Sequence, residues 1–191
     1  MAREVEIKFR LRSREALEAR LLAIGATYHG TELEKNALFD REDGALRRAG
    51  EALRLRQTEA LDEAARARAT LTWKGPRRPG PLKDREERES EVSAPDDVRA
   101  ILIALGCAPL LEFEKRRSTW RWGSAEIALD EVAPLGSFLE IEADPAEIER
   151  AIEALGLRDG DLDVEVEERS YPELVREARD RAGNATIGES E

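Results

Sequence analysis

The sequence predicts an α+β fold in which amphipathic helices are inserted between the strands of an antiparallel β-sheet. Apolar and charged residues alternate in many short stretches along the chain, which is the pattern of half-buried strands. Segments with helical apolar spacing interrupt these stretches. A chain of 191 residues with 41% hydrophobic residues can bury one substantial core but hardly two. We therefore expect one domain over residues 1–182, followed by a disordered tail, GNATIGESE, at 183–191.

Three segments carry the start and stop signals of helices. Each begins at a capping residue or a proline and ends at a glycine, the residue that often follows a helix. They run from Ser13 to Gly25, from Pro95 to Gly106 and from Asp144 to Gly156. A fourth, more polar helix is predicted from Pro172 to Ala182, and ALDEAARARA at 60–69 is expected to form a short helical hairpin insertion.

The predicted strands fill the intervals between the helices. They are EVEIKFR (4–10), LFD (38–40), EALRLRQ (51–57), RATLTWK (68–74), REERESEV (85–92), FEKRRSTWRW (113–122), AEIALDEV (125–132), SFLEIEA (137–143) and LDVEVEE (162–168). Between the fourth and the fifth, GPRRPGPLKD at 75–84 combines prolines and glycines with basic residues. This composition predicts a mobile, basic loop.

Charges of both signs collect on one face of these strands. In the first strand Glu4, Glu6 and Lys8 share a face, where two carboxylates repel each other unless a cation lies between them. An ordinary half-buried sheet with a wet face explains this pattern. The amphipathic helices, however, need an apolar surface to cover. If the strands close into a barrel with apolar faces outward, the charges converge on a central cavity, where they require a charged ligand.

The residue types on the charged face favour a metal-bound polyphosphate as that ligand. Arginine and lysine suit phosphate oxygens, and clustered carboxylates suit hard divalent cations such as Mg²⁺ or Mn²⁺. The single cysteine, Cys107, excludes an internal disulfide and any multi-cysteine metal site. The single histidine, His29, leaves carboxylates as the only abundant metal ligands.

The overall charge restricts the possible partners. A net charge of -11 argues against broad affinity for nucleic acid or for an anionic membrane. The most apolar segment, AILIALGCAPLL at 100–111, is too short and too broken to cross a bilayer. We therefore expect a cytoplasmic protein that binds a small molecule, and the sequence leaves the oligomeric state open, with a homodimer as one option.

Seven segments, in order, resemble the motifs of the CYTH superfamily, the triphosphate tunnel metalloenzymes. EVEIKFR at 4–10 resembles the ExExK signature of that superfamily. The others are LRLR (53–56), LTWKG (71–75), REERESEV (85–92), EKRR (114–117), IALDEVAPLGSFLEIE (127–142) and SYPELV (170–175). Within the superfamily, NALFD, ALRLR and LDEVAPLGSFLEIE are most similar to the group named for class IV adenylyl cyclases.

The resemblance implies an eight-stranded antiparallel β-barrel that forms a tunnel, with flanking helices, a triphosphate inside and Mg²⁺ or Mn²⁺ as cofactor. The implied metal ligands are Glu4, Glu6, Asp130, Glu140 and Glu142. The implied phosphate-binding residues are Lys8, Arg54, Arg56, Lys74, Arg85, Lys115 and Arg117. Glu87 and Glu89 match a second acidic pair that binds metal or orients water in catalysis. Their register competes with one through Glu86 and Arg88, and Arg116 competes with Lys115.

The sequence also bears on which reaction occurs. A cyclase must hold a base and bring a ribose hydroxyl in line with the α-phosphorus, whereas a triphosphatase needs only the phosphate chain and a water. Phe9, Trp73, Trp120 and Trp122 fall on the face opposite the charges, which leaves Phe138 as the clearest inward aromatic. We therefore expect hydrolysis of tripolyphosphate, ATP or another organic triphosphate. Conversion of ATP to cyclic AMP and pyrophosphate is the alternative, and a non-catalytic polyphosphate- or nucleotide-binding protein is a further one.

Overall fold

The structure is a computed structural model that describes residues 2–158 and 162–187. Its strands are β1 (Ala2–Leu11), β2 (Thr27–Arg41), β3 (Ala52–Ala60), β4 (Arg68–Lys74), β5 (Lys83–Glu91), β6 (Cys107–Trp122), β7 (Ala125–Val132), β8 (Gly136–Glu142) and β9 (Val164–Val166). Its helices are α1 (Arg14–Ala23), α2 (Ala45–Arg48), α3 (Pro95–Ala104), α4 (Pro145–Leu155) and α5 (Tyr171–Ile187).

Eight of the described strands close into an antiparallel barrel. The order around the barrel is β1, β5, β4, β3, β2, β6, β7 and β8, and β8 pairs again with β1. The first part of β1 pairs with β5, and its last residues pair with β9 on the same side. The predicted α+β fold, an eight-stranded antiparallel barrel with flanking helices, is confirmed.

The main hydrophobic core lies outside the barrel wall, between the strands and two helices. Phe9 from β1 and Ile141 from β8 face this core, because their charged neighbours in sequence face inward. Leu17 and Leu21 of α1 and Ile148 of α4 are fully buried against them. Ser13 caps α1, since its side chain accepts a hydrogen bond from the backbone N–H of Ala16 at 3.3 Å. The expectation that the helices cover the apolar faces of the strands is confirmed.

One local prediction is wrong. Residues 61–67 form turns and bends rather than a helical hairpin, because the Asp62 carboxylate accepts hydrogen bonds from the backbone N–H groups of Thr31, Ala64 and Ala65. The strand predicted at 38–40 is confirmed, but it is only the last part of β2, which starts at Thr27.

The segment predicted as a mobile loop, 75–84, is held at both ends. Lys83 and Asp84 belong to β5 and pair with β1. The Arg77 guanidinium donates to the carbonyl oxygen of Glu168 at 2.9 Å, which ties the loop to the segment before α5. Helix α5 continues to Ile187, five residues into the predicted tail, and residues 188–191 lie outside the described part of the chain.

Over the described ranges, the helices are all too short or too polar to span a bilayer.

A glycine in β2 allows the 61–67 turn to approach the barrel. Gly30 has a φ of +117°, and a Cβ there would lie 2.5 Å from the backbone nitrogen of Ala65. We expect Gly30→Ala to lower the free energy of unfolding by about 2 kcal/mol or more, since both the backbone conformation and the space oppose a side chain.

Gly25→Ala is the matched control for this prediction. Gly25 has a φ of +77°, but its Cβ would meet no described atom within 4 Å, so we expect a cost of about 1 kcal/mol. Chemical denaturation measures both variants. Equal losses would show that the turn moves aside freely.

Candidate active site

A charged cavity of about 690 Å³ runs through the barrel. The sequence-predicted site residues line it with one exception, Asp130. The lining members are Glu4, Glu6, Lys8, Arg54, Arg56, Lys74, Arg85, Glu87, Glu89, Lys115, Arg117, Glu140 and Glu142. The structure therefore brings the two sets of charges into one cavity.

Strand register explains how the charges come together. Glu6 lies opposite Glu142 and Lys8 opposite Glu140 across β1 and β8, while Glu4 lies opposite Arg85 across β1 and β5. Cross-strand partners have side chains within contact distance on the same face. The alternation of charges in β1 therefore places each charged group beside a charged partner on a neighbouring strand.

The register left open for β5 has a definite outcome in the structure. Arg85, Glu87 and Glu89 face the cavity. Glu86 and Arg88 lie outside and pair with each other at 2.7 Å. On β6, Lys115 faces inward and is buried, whereas Arg116 faces outward and pairs with Glu131.

Asp130 lies behind the cavity wall and does not fit the predicted role of metal ligand. Its carboxylate has no exposed surface. It accepts hydrogen bonds from Lys115 at 3.0 Å, from both Nε and Nη2 of Arg117 at 2.8 and 2.6 Å, and from the Tyr171 hydroxyl at 2.7 Å. These donors occupy the lone pairs that a metal would need. Asp130 instead orients Lys115 and Arg117.

A buried glutamate that the sequence analysis missed completes this network. Glu34 on β2 has no exposed surface and pairs with Arg56 at 3.0 Å, Lys115 at 3.4 Å and Arg117 at 3.6 Å. Although burial opposes ionisation, these three cations hold the pKa of Glu34 well below its usual range. The alternation of Glu32, Glu34 and Asn36 along β2 is the signal that could have revealed it.

A row of three carboxylates, called the acidic row below, crosses β7, β8 and β1 at one end of the cavity. Glu126 lies opposite Glu142, and Glu142 lies opposite Glu6. Glu126 was not predicted. Glu142 keeps an exposed surface, but partial desolvation in the cavity, and then the charges of Glu4, Glu126 and Glu6, raise its pKa to about 7. A cation bound among these carboxylates would therefore reduce the repulsion between them.

Lysine ammonium groups neutralise the neighbouring carboxylates. Lys74 pairs with Glu4 at 2.5 Å and Lys83 pairs with Glu6 at 3.2 Å. Burial raises the pKa of Glu4, yet Lys74 and Arg85 lower it to about 2. Lys83, which the sequence analysis placed in the loop, is buried beside Glu6 without lining the cavity, and burial lowers its pKa to about 8. It continues the inward alternation of Arg85 and Glu87, which is the signal that was overlooked.

The second acidic pair borders the arginines of β3. Glu87 pairs with Lys74 at 2.9 Å, and burial raises its pKa. Glu89 accepts a hydrogen bond from the Thr72 hydroxyl at 2.6 Å and lies 3.6 Å from Arg54. Both carboxylates are therefore next to groups that could also contact a phosphate chain.

The predicted stacking residue, Phe138, is fully buried and does not line the cavity. Its ring packs edge-on against Tyr171 at a centroid distance of 5.3 Å, and Arg10 covers it at 4.8 Å. Helix α5 closes this part of the barrel, which sequence alternation alone does not reveal. Phe113 on β6 lines the cavity instead.

The acidic row fits a hard divalent cation by its donor chemistry, since Mg²⁺ and Mn²⁺ prefer carboxylate oxygens. Within residues 2–158 and 162–187, no three acidic, histidine or cysteine side chains converge closely enough to enclose an ion. Lys74 and Lys83 hold Glu4 and Glu6 in ion pairs. A metal would therefore compete with these ammonium groups for the carboxylates.

A closed antiparallel barrel with a tunnel lined by both acidic and basic groups defines the structural class of this protein. The sequence matches the CYTH domain over residues 2–177, and the chain belongs to the CYTH domain family.

Three relatives show the extent of the similarity. A Methanocaldococcus jannaschii protein named as a proposed adenylate cyclase is 28% identical over 145 residues, which are 76% of this chain and 79% of that protein. A Pyrococcus horikoshii structure superposes with a TM-score of 0.74 at 28% identity and covers 92% of this chain and 99% of its own. A Hippeastrum structure, described as a proposed adenylyl cyclase with a dominant triphosphatase activity, has a TM-score of 0.70 at 22% identity, with coverages of 92% and 96%. The last likeness is one of fold.

We expect Asp130→Asn to lower the free energy of unfolding by about 3 kcal/mol, because it leaves Lys115 and Arg117 buried without their main counter-charge. Urea denaturation measures the change. Glu131→Gln, at the next position of β7, is the control, since the Glu131 side chain is 42% exposed and its pairs with Arg14 and Arg116 should contribute less than about 1 kcal/mol. If the two variants lost equal stability, Asp130 would not be the centre of the network.

The pKa of Glu142 predicts a pH-dependent stability in metal-free buffer. Because its pKa is about 7 in the folded chain against an ordinary 4.5, folding favours the protonated form. This contribution is complete below about pH 4.5 and is lost as the pH rises to about 7. Glu142→Gln should therefore raise Tm at about pH 8 and leave it nearly unchanged at about pH 4, as measured by calorimetry with a chelator present. A lower Tm at both pH values would contradict the repulsion within the acidic row.

Proposed function

We propose that this protein is a divalent-metal-dependent phosphohydrolase that cleaves triphosphate-bearing substrates inside the barrel tunnel. The observation that carries the proposal is the placement of an acidic row beside a wall of arginines and lysines within one enclosed cavity. Such a cavity complements a polyanion that arrives with a cation.

The basic wall would bind the phosphate chain. Arg54 and Arg56 on β3, with Lys74 on β4 and Arg85 on β5, present forked or compact donors to the same space. Lys83 adds a buried ammonium group. Phosphoryl transfer depends mainly on charge neutralisation and in-line positioning, so these side chains would hold the chain and stabilise negative charge on the leaving group.

Glu4, Glu6, Glu140 and Glu142 would hold the metal. When bound, Mg²⁺ or Mn²⁺ would neutralise phosphate oxygens and polarise the phosphorus. Glu126 completes the row at the mouth and would add negative charge toward the same ion.

Glu87 and Glu89 are the proposed catalytic carboxylates. Burial raises the pKa of Glu87, which favours its accepting a proton, and its contact with Lys74 fixes its orientation. In hydrolysis these carboxylates would orient the attacking water. The substrate would then need no group other than its phosphate chain.

Cyclisation of ATP to cyclic AMP and pyrophosphate is the second candidate reaction. The name of the Methanocaldococcus jannaschii relative favours it, whereas the triphosphatase activity described for the Hippeastrum protein favours hydrolysis in this fold. A protein that binds polyphosphate or a nucleotide without catalysis would need the basic wall but not the acidic row. The presence of both the basic wall and the acidic row therefore supports an enzyme.

Product analysis tests the proposal. We expect the protein to release phosphate from ATP, tripolyphosphate or both in the presence of Mg²⁺ or Mn²⁺. Cyclic AMP plus pyrophosphate as the dominant products would replace hydrolysis by cyclisation. Tight binding without turnover of either compound would establish the non-catalytic alternative.

Glu6→Gln tests the assignment of the acidic row. We expect turnover to fall by about 100-fold or more, because the variant keeps the size of the side chain and loses a metal-binding charge. Glu86→Gln is the matched control, since Glu86 faces outward and pairs only with Arg88 among the described salt bridges. Near-normal metal-dependent turnover in Glu6→Gln would remove Glu6 from the site.

A further inference from the structure

The acidic row is followed on the next strand by a lysine. Glu126, Glu142 and Glu6 lie opposite one another on β7, β8 and β1, and on the other side of β1 Glu6 lies opposite Lys83 of β5. The Lys83 ammonium group is 3.2 Å from the Glu6 carboxylate. The Lys83 side chain is only 8% exposed, so salt and water screen this pair weakly. The row therefore has a cation of the protein itself at one end.

A backbone carbonyl holds Lys83 at this position. Its ammonium group donates a hydrogen bond to the carbonyl oxygen of Arg169 at 3.4 Å, and Lys8 donates to the same oxygen at 3.3 Å. Two ammonium groups that share one neutral acceptor repel each other, so each needs a carboxylate nearby. Lys8 pairs with Glu140 at 3.2 Å, as Lys83 does with Glu6. The shared oxygen therefore keeps both lysines close to the carboxylates.

The carbonyl oxygen of Arg169 is itself fixed by Glu167, which is buried. The Glu167 carboxylate accepts hydrogen bonds from the backbone N–H of Arg169 at 3.1 Å and from Nε of its guanidinium at 2.7 Å. The backbone N–H of Glu167 donates to the carbonyl oxygen of Lys8 at 2.8 Å, and Arg10 pairs with the Glu167 carboxylate at 3.2 Å. The turn is thus held on several sides, and Lys83 has a fixed acceptor besides Glu6.

Lys83 differs in this respect from Lys74, the other lysine at the acidic end. Lys74 lines the cavity and pairs with two carboxylates, Glu4 and Glu87. Lys83 does not line the cavity, whereas Glu6 does. A divalent cation that reaches Glu6 without phosphate must either displace the Lys83 ammonium group or bind beside it. Both routes weaken metal binding, the first through the lost ion pair and the second through repulsion.

We infer that Lys83 is a built-in counter-ion of Glu6 that lowers the affinity of the acidic row for a free divalent cation. The inference rests on the proposed function for the role of the metal and adds a control of metal binding to it. Phosphate oxygens would supply further metal ligands and negative charge that attracts the ammonium group. The metal would therefore enter together with the triphosphate. Lys83 is a positioning residue in this scheme, because it acts through Glu6.

Metal binding in the absence of phosphate tests the inference without recourse to turnover. Isothermal calorimetry measures the affinity of the full-length protein for Mn²⁺ in phosphate-free buffer. Lys83→Gln keeps a donor for the Arg169 carbonyl and loses the charge. We expect it to bind Mn²⁺ about tenfold more tightly or better, since like charges a few ångströms apart repel strongly even at an effective dielectric constant of about 20.

Two further variants isolate the charge and its position. Lys83→Arg keeps the charge and should bind Mn²⁺ as the unmodified protein does. Lys35→Gln is the matched control, because it loses the same charge from an exposed side chain that pairs with Glu59 and does not line the tunnel. Its Mn²⁺ affinity should be nearly unchanged.

Tighter Mn²⁺ binding confined to Lys83→Gln supports the inference even if product analysis finds no hydrolysis. Equal or weaker binding in Lys83→Gln overturns it, whether or not the protein hydrolyses triphosphates. An equal gain in Lys83→Arg or in Lys35→Gln also overturns it, because packing or net charge would then be responsible. So does a full gain in a variant that combines Lys83→Gln with Glu6→Gln, since the lysine would not act through Glu6. Lys83→Met removes the same charge and takes the place of Lys83→Gln if that variant does not fold.

Discussion

The requirement that every buried charge have a partner governs this structure. A closed barrel with apolar faces outward must hold its charged faces inside, where an isolated charge would destabilise the fold by several kcal/mol. At the basic end the chain meets this requirement with opposite charges on neighbouring strands, so that Asp130 and Glu34 neutralise Lys115 and Arg117 from two sides. The exception is the acidic row, where three carboxylates lie opposite one another on neighbouring strands. The external helices depend on the same arrangement, because they cover the apolar faces that the inward charges leave outside.

The ion pairs differ in how easily a ligand would displace one partner. Asp130 and Glu34 have no exposed surface, and their partners approach from several directions, so these pairs belong to the permanent wall. At the acidic end the pairs are simpler, with Lys74 on Glu4 and Lys83 on Glu6, and Glu142 has no basic partner among the salt bridges of the described residues. A bound phosphate chain would attract these lysines away from Glu4 and Glu6, and the two carboxylates would then be free to bind a metal. The tunnel thus combines fully buried pairs with pairs at the acidic end whose carboxylates, Glu4 and Glu6, line the cavity.

Period-two alternation was enough to predict most of this arrangement from sequence. It selected the inward residues of β1, β3, β4, β5, β6 and β8, and the resemblance to the CYTH superfamily ordered them. Alternation does not predict how deep a residue lies along the barrel axis. Asp130 and Phe138 face inward as predicted, but they lie beneath Tyr171 and do not line the cavity. Helical propensity failed at 60–69, where Asp62 satisfies backbone donors and Gly30 admits the turn. Tertiary contacts decided those positions.

The division between charged and apolar surface also indicates where selectivity can arise. In the proposed function the arginines and lysines would contact phosphate oxygens that every triphosphate shares, so the charged wall would bind the chain without distinguishing one substituent from another. Discrimination requires surface that meets the substituent, and apolar residues such as Phe113 and Leu110 line this tunnel together with the charged ones. Two CYTH domains could therefore share the same acidic row and differ in substrate through residues outside the charged motifs. The motifs that identify the family are for this reason poor guides to the substrate of one member.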